Sequence, residues 1–185
     1  MENVQPNLPR PGPDPQVEFA RLYDNEMPRV YRFICHHVGS CQEAEEVTGD
    51  VFRRAQRQWP QVYRKLDSPR AWLFALARER LADHARRPEG RPAGPPERCF
   101  DLQGDAPGPE AEAARGGQLA ALLDRLAGLP DMDRTVLTLR FAGGLEQREI
   151  GSVLEIDEPA AALSLLQALR RLRETMEEKD DERSK

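Results

Sequence analysis

The stretch from Leu129 to Glu174 reads LPDMDRTVLTLRFAGGLEQREIGSVLEIDEPAAALSLLQALRRLRE. Pro130 opens a helical pattern that Gly143 and Gly144 close, since a proline suits the start of a helix and a glycine its end. LEQREIGSVLEI then predicts a short helix, IDEP a turn, and Glu158 to Glu174 a second helix. A short helix, a tight turn and a longer helix make a helix-turn-helix, in which the second helix is placed to enter a major groove.

Composition agrees with a helical chain throughout. Charged residues make up 32% and aromatic residues 6% of the 185, and Ala, Leu, Arg and Glu, strong helix formers, dominate. Upstream, Val17 to Val38 spaces Phe19, Leu22, Tyr23, Met27, Val30, Tyr31 and Ile34 by threes and fours, an amphipathic stripe. Ser40 is an N-cap candidate for a helix from Gln42 to Trp59, with Glu43, Glu45 and Glu46 in its first turn where the dipole favours acids. WPQVYRKLDSP reads as a turn, and Ser68 and Pro69 start a third helix ending before Pro88.

The expected fold is therefore all-α, with two small helical domains: a three-helix bundle over 17–87 and the helix-turn-helix domain over 118–174. Residues 1–16 are too rich in proline to fold, 88–117 form a Pro-, Gly- and acid-rich flexible linker, and 175–185 a charged tail.

Charge is segregated along the chain. The formal net charge is -5, yet Arg53 to Arg87 holds ten Lys/Arg against three Asp/Glu. Such a local basic block carries more weight for nucleic-acid binding than the total. No apolar run approaches the ~20 residues that span a bilayer, and no signal peptide opens the chain, so the expectation is a cytoplasmic protein without membrane insertion. No Gly-rich phosphate loop, metal constellation or nucleophile–base pair is present, which argues against an enzyme, a cofactor or a small-molecule substrate. Three cysteines, Cys35, Cys41 and Cys99, are an odd number without paired spacing and imply no disulfide framework. Cys35, His36, His37 and Cys41 lie close in sequence, but their spacing fits no defensible zinc pattern; ordinary helix and loop roles are the expectation.

YDNEMPRVYRFICHHVGSCQEAEEVTGDVFRRAQRQW followed by SPRAWLFALARERLADHARR resembles the second conserved region of sigma-70 family factors, especially the extracytoplasmic-function (ECF) type. LAGLPDMDRTVLTLRFAGGLEQREIGSVLEI resembles the fourth region. The ordered pair covers about 130 of the 185 residues. Each match alone is short and weak; in this order they are specific.

The resemblance implies binding to core RNA polymerase and promoter DNA, with an anti-sigma factor as a further partner. It places Glu45, Glu46, Asp50 and Arg53 in the polymerase-docking helix, with Phe52 inward, and Gly49 where the family usually has Gln. It makes Trp59 to Asp67 the loop that captures an extruded -10 base: Tyr63 for stacking, Arg64 and Lys65 for phosphates. Arg78, Arg80, Arg86 and Arg87 would line the DNA backbone, and Glu79 stands where the family usually has Asn. Trp72, among Leu73, Leu76 and Ala77, reads as core.

The Glu158–Glu174 helix departs most from the family pattern. On a wheel at ~100° per residue, Ala161, Leu165, Ala168, Leu169 and Leu172 share the packing face. Positions that usually carry polar or basic groups toward -35 DNA hold Ala160, Ala162, Leu163, Ser164 and Gln167. Ser164, Gln167, Arg170 and Arg171 are the remaining -35 candidates, while Leu163 and Leu166 point outward. Contact with protein, incidental exposure of two leucines, and altered DNA reading all stay open at this stage.

Overall fold

The computed structural model describes residues 14–86, 122 and 125–183. Among them every regular element is an α-helix: α1 (Pro15–Cys35), α2 (Cys41–Val62), α3 (Pro69–Ala85), α4 (Asp131–Phe141), α5 (Gln147–Leu154) and α6 (Glu158–Arg183). The linker reading of 88–117 lies outside the described residues, as do residues 1–13 and Arg87.

Local chemistry sets each boundary. Asp14 begins α1 by accepting from Gln16 N at 2.9 Å, with Pro15 in the first helical turn. Asp14 to Gln16 therefore belong to the fold and not to a proline-rich lead. Ser40 Oγ accepts from Glu43 N at 3.2 Å, and Glu43 returns the contact by accepting from Gly39 N at 2.9 Å. Ser68 Oγ caps α3 through Ala71 N at 3.1 Å. Glu146 and Glu149 form a capping box on α5, and Asp157 caps α6 through Ala160 N at 2.8 Å. Each of these satisfies a first-turn N–H that would otherwise lack a partner.

Two helices outrun the sequence reading. α2 continues past Trp59 to Val62 with Pro60 in its last turns. Trp59 is buried, and its indole Nε1 donates to Pro15 O at 2.8 Å; this anchor holds the turn in helical register despite the missing proline N–H. The loop expected to capture a base thus contracts to Tyr63–Asp67. α6 likewise runs on to Arg183, through residues expected to be a non-helical tail. Most of these are strong helix formers, Met176, Glu177, Glu178 and Lys179 among them, and Arg173 and Glu177 pair one turn apart at 3.6 Å.

α1, α2 and α3 pack on one another, as do α4, α5 and α6. The first bundle buries Val30, Phe33, Ile34, Val47, Val51, Leu73 and Phe74; the second buries Val136, Leu137, Leu139, Leu145, Ile150 and Ala161. The turn between α5 and α6 places Glu155 at φ 59°, a left-handed backbone that closes α5. Gly151 is required there, because a Cβ would stand 2.8 Å from Ile156 O.

The two bundles are not separate bodies on a tether. α3 packs along α5, and the cores merge. Phe74 faces Gly143 so closely that a Cβ on the glycine would lie 2.8 Å from the ring and 2.7 Å from Leu139 O. Among the described residues, polar contacts cross the seam: Arg70 donates to Gly143 O (2.5 Å), Arg78 to Val153 O (2.8 Å), Ser68 Oγ to Glu149 (2.8 Å), and His37 Nε2 lies 3.0 Å from Thr138 Oγ1.

Candidate nucleic-acid interface

α2 carries opposite chemistry at its two ends. Near its start Glu45 and Glu46 are exposed, while Val47, Val51 and Phe52 point into the core. A shallow cleft of about 310 Å³ opens beside Glu45, between Tyr23, Met27 and Tyr31 of α1 and Phe52 of α2. Asp50 is held differently from its acidic neighbours. It accepts from Arg53 one turn on and from Arg80 of α3. Partial burial raises its carboxyl, but the hydrogen bonds from Arg80 and Arg53 outweigh this and leave it below its ordinary value. Gly49 leaves room for the folded-back Arg53 guanidinium, 3.2 Å from where a Cβ would stand.

At the far end of α2 an aromatic column leads to the basic turn. Trp72 and Trp59 have ring centroids 5.8 Å apart, and Trp59 and Tyr63 5.6 Å. The Arg64 guanidinium lies 5.3 Å from the centroid of Tyr63, and its Nε donates to the Tyr63 hydroxyl at 2.7 Å. Tyr63 is half-buried; Arg64 and Lys65 are exposed. Sequence reasoning put both Trp59 and Tyr63 in the loop; the structure keeps Trp59 in α2, between Trp72 and Tyr63. Its indole is the platform beneath Tyr63.

The α3 arginines diverge. Arg78 reaches across the seam to Val153, Arg80 turns back to Asp50, and Arg86 pairs with Asp83 at 3.5 Å. Glu79 is exposed and bonds Arg54 of α2 at 3.0 Å. The expected arginine row on α3 therefore does not form one surface in this arrangement. Sequence reasoning missed Arg70, which lies 3.2 Å from the buried Glu26 and also holds Gly143 O; only the crossing of two bundles reveals that role.

On α6 the packing face is Ala161, Leu165 and Ala168, all buried, with Leu172 half-buried. Leu169 is a correction to the wheel: it is 38% exposed. Leu163 and Leu166 are 56% and 66% exposed. Of the -35 candidates, Ser164 is half-buried and Gln167 and Arg170 are exposed, whereas Arg171 bonds the buried Asp133 of α4 at 2.5 Å.

The four residues of the cysteine–histidine cluster meet different environments, His37 at the seam with Thr138. Cys35 is buried, and that burial pushes its thiol up to about 11. Cys41 is disulfide-bonded, which an odd cysteine count gave no reason to expect. Burial pushes the His36 imidazole down to about 4, with Arg32 adding to the effect. Among the described residues no group of three or more His, Cys, Asp or Glu could hold a metal ion, and no helix is long and apolar enough to cross a membrane.

An all-α pair of bundles, one with a basic aromatic turn between its second and third helices and the other with a helix-turn-helix, sets the class of fold, and relatives narrow it. Residues 22–91 match sigma-70 region 2 and residues 119–172 match sigma-70 region 4. The chain is 31% identical to the ECF RNA polymerase sigma factor SigL of Mycobacterium tuberculosis over 85% of its own length and 88% of that protein. It is 32% identical to the ECF RNA polymerase sigma factor BldN of Streptomyces coelicolor over 83% of its length, but spans only 58% of that relative. Among solved structures, CnrH in complex with the cytosolic domain of CnrY shares the fold, with TM-score 0.62, 20% identity and coverage of 88% and 89% of the two chains. The chain belongs to the ECF RNA polymerase sigma factors.

Proposed function

We propose that this chain binds core RNA polymerase and directs it to promoters, with α2 as the link between the two tasks. The observation that carries the reading is the polarity of that helix. Glu45 and Glu46 present acids to a protein surface at one end; Tyr63, Arg64 and Lys65 present an aromatic ring and cations at the other. At 1.5 Å per residue the two lie ~27 Å apart, so one rigid element can hold polymerase and -10 DNA in fixed relation. In this proposal Asp50 and Arg53 flank the docking acids, Arg86 and Arg87 follow the DNA backbone, Arg78 and Arg80 join them only on leaving Val153 O and Asp50, and an anti-sigma factor competes for the same surfaces.

Reconstitution with core polymerase and run-off transcription over a promoter library tests it. Transcripts that start at a defined set of promoters are expected. Core binding with no transcript from any promoter would overturn the initiation role and leave a second reading: a polymerase-binding protein that does not read -35 DNA. That second reading draws its support from α6, where Leu163, Leu166 and Leu169 are exposed and Arg171 is taken up by Asp133.

A further inference from the structure

We infer that the outer face of α6 is a self-association surface, on which a second copy of the chain docks antiparallel through Leu163, Leu166 and Leu169. The three leucines are 56%, 66% and 38% exposed, and on a helix at ~100° per residue Leu163 and Leu169 fall ~60° to either side of Leu166. They form one apolar strip rimmed by charge, the surface pattern that marks association sites.

The second copy is favoured over other occupants because the strip is complementary to itself. Leu166 is its midpoint: three residues to either side stand Leu163 and Leu169, four to either side Ala162 and Arg170, seven to either side Pro159 and Arg173. The charges break this symmetry in one sense. Glu155 and Glu158 are exposed at the start, and Arg170 and Arg173 at the end, with Glu174 and Glu177 exposed beyond them. Antiparallel pairing about Leu166 puts Leu163 level with Leu169 of the other copy and brings Arg173 within one residue of its Glu158, on the same side of the contact. It also opposes the helix dipoles. A parallel pair would set like charges together. This is the isologous geometry of a two-fold dimer. Among the described residues Arg173 pairs with Glu177 at 3.6 Å, an exposed contact that is readily exchanged.

A duplex fits this face poorly, since phosphate anchoring and base reading need cations and hydrogen-bonding groups where the leucines stand. The contact is small: three leucines on one helix fall short of the ~800 Å² per partner of a standard stable complex. The dimer is accordingly weak and concentration-dependent. It and insertion of α6 into a major groove exclude each other.

Light scattering and equilibrium sedimentation of the full chain, from micromolar to sub-millimolar concentration, test the proposal. The wild-type chain is expected to pass from monomer to dimer over this range. Leu166→Glu should weaken association at least about tenfold, with helicity by circular dichroism unchanged because the side chain is exposed. Glu158→Arg and Arg173→Glu should each weaken it, and the two together should restore it. A chain that stays monomeric throughout overturns the proposal, even if it binds duplex or another protein through α6. So does a dimer insensitive to Leu166→Glu, or a double swap no better than its singles.

Discussion

His37 Nε2 and Thr138 Oγ1 stand 3.0 Å apart across the seam between the two bundles. The threonine hydroxyl also lies 2.7 Å from Arg134 O and 3.0 Å from Thr135 O within α4. Its single proton serves one of those carbonyls, so the oxygen offers only a lone pair to the ring. The imidazole must then donate from Nε2, which assigns a neutral Nε2–H tautomer from the hydrogen-bond network.

A cation at this position would be costly, and pH reports it. Burial, with Arg134 and His36 adding to it, pushes His37 down to about 3, from an ordinary 6.5. Above pH 6.5 the ring is neutral in folded and unfolded chains alike and contributes no pH dependence. As pH falls below 6.5 the unfolded chain takes up the proton and the folded chain does not, so stability is lost progressively down to about pH 3. The urea midpoint should therefore fall between pH 6.5 and 4. His37→Gln, which keeps a donor to Thr138, should flatten that slope; an unchanged slope would assign the loss to other groups.

Arg70 ties three elements at once: Glu26 of α1, its own helix α3, and Gly143 at the end of α4. Glu26 is only 7% exposed and keeps Arg29 at 3.4 Å as its other cation. Arg70→Ala should cost roughly 1–3 kcal/mol, because it removes one of the two cations beside a nearly buried carboxylate together with the bond to Gly143 O. Chemical denaturation measures it, and adding Glu26→Gln should recover much of the loss.

Gly49→Ala should stabilise the chain. Mid-helix glycine costs ~1 kcal/mol against alanine, and the atom nearest the new methyl is the far end of the flexible Arg53 side chain at 3.2 Å. A rise in the thermal midpoint is expected. A fall would mean that the Arg53–Asp50–Arg80 cluster cannot shift by the few tenths of an ångström required.

Arg64→Ala with Lys65→Ala should lower affinity for single-stranded -10 DNA. Losing two phosphate contacts should flatten the salt dependence by ~1.4 in log–log slope. Both side chains are exposed, so the fold should be unaffected. A slope equal to the wild type would remove the turn from the DNA interface.

The helices were legible where the signal lies in side chains. Ser40 and Ser68 announce their caps, and the threes-and-fours spacing of α1 its buried stripe. Leu169 misled because it sits ~70° from the centre of the packed stripe, and a wheel gives direction but not how far the neighbouring helix reaches. The extension of α2 was hidden because proline argues for a stop, while the bond from Trp59 to Pro15 that overrides it joins residues 44 apart. The seam was least legible of all. Arg70 and Arg78 meet backbone carbonyls there, and a carbonyl belongs to every residue. The same applies to the candidate site: the basic turn could be read from YRK, but not the use of Arg78 and Arg80 within the chain.

The bond from Arg78 to Val153 O has a thermodynamic corollary. If Arg78 serves the DNA backbone as proposed, the guanidinium that closes the seam is withheld from a phosphate, and closure and promoter engagement draw on one group. The free energy of closure is then subtracted from every DNA affinity measured on the intact chain, and apparent dissociation constants rise in inverse proportion to the open fraction. Removing the carbonyl's claim on Arg78, by any change that parts α3 from α5, would tighten DNA binding without adding a single contact to DNA.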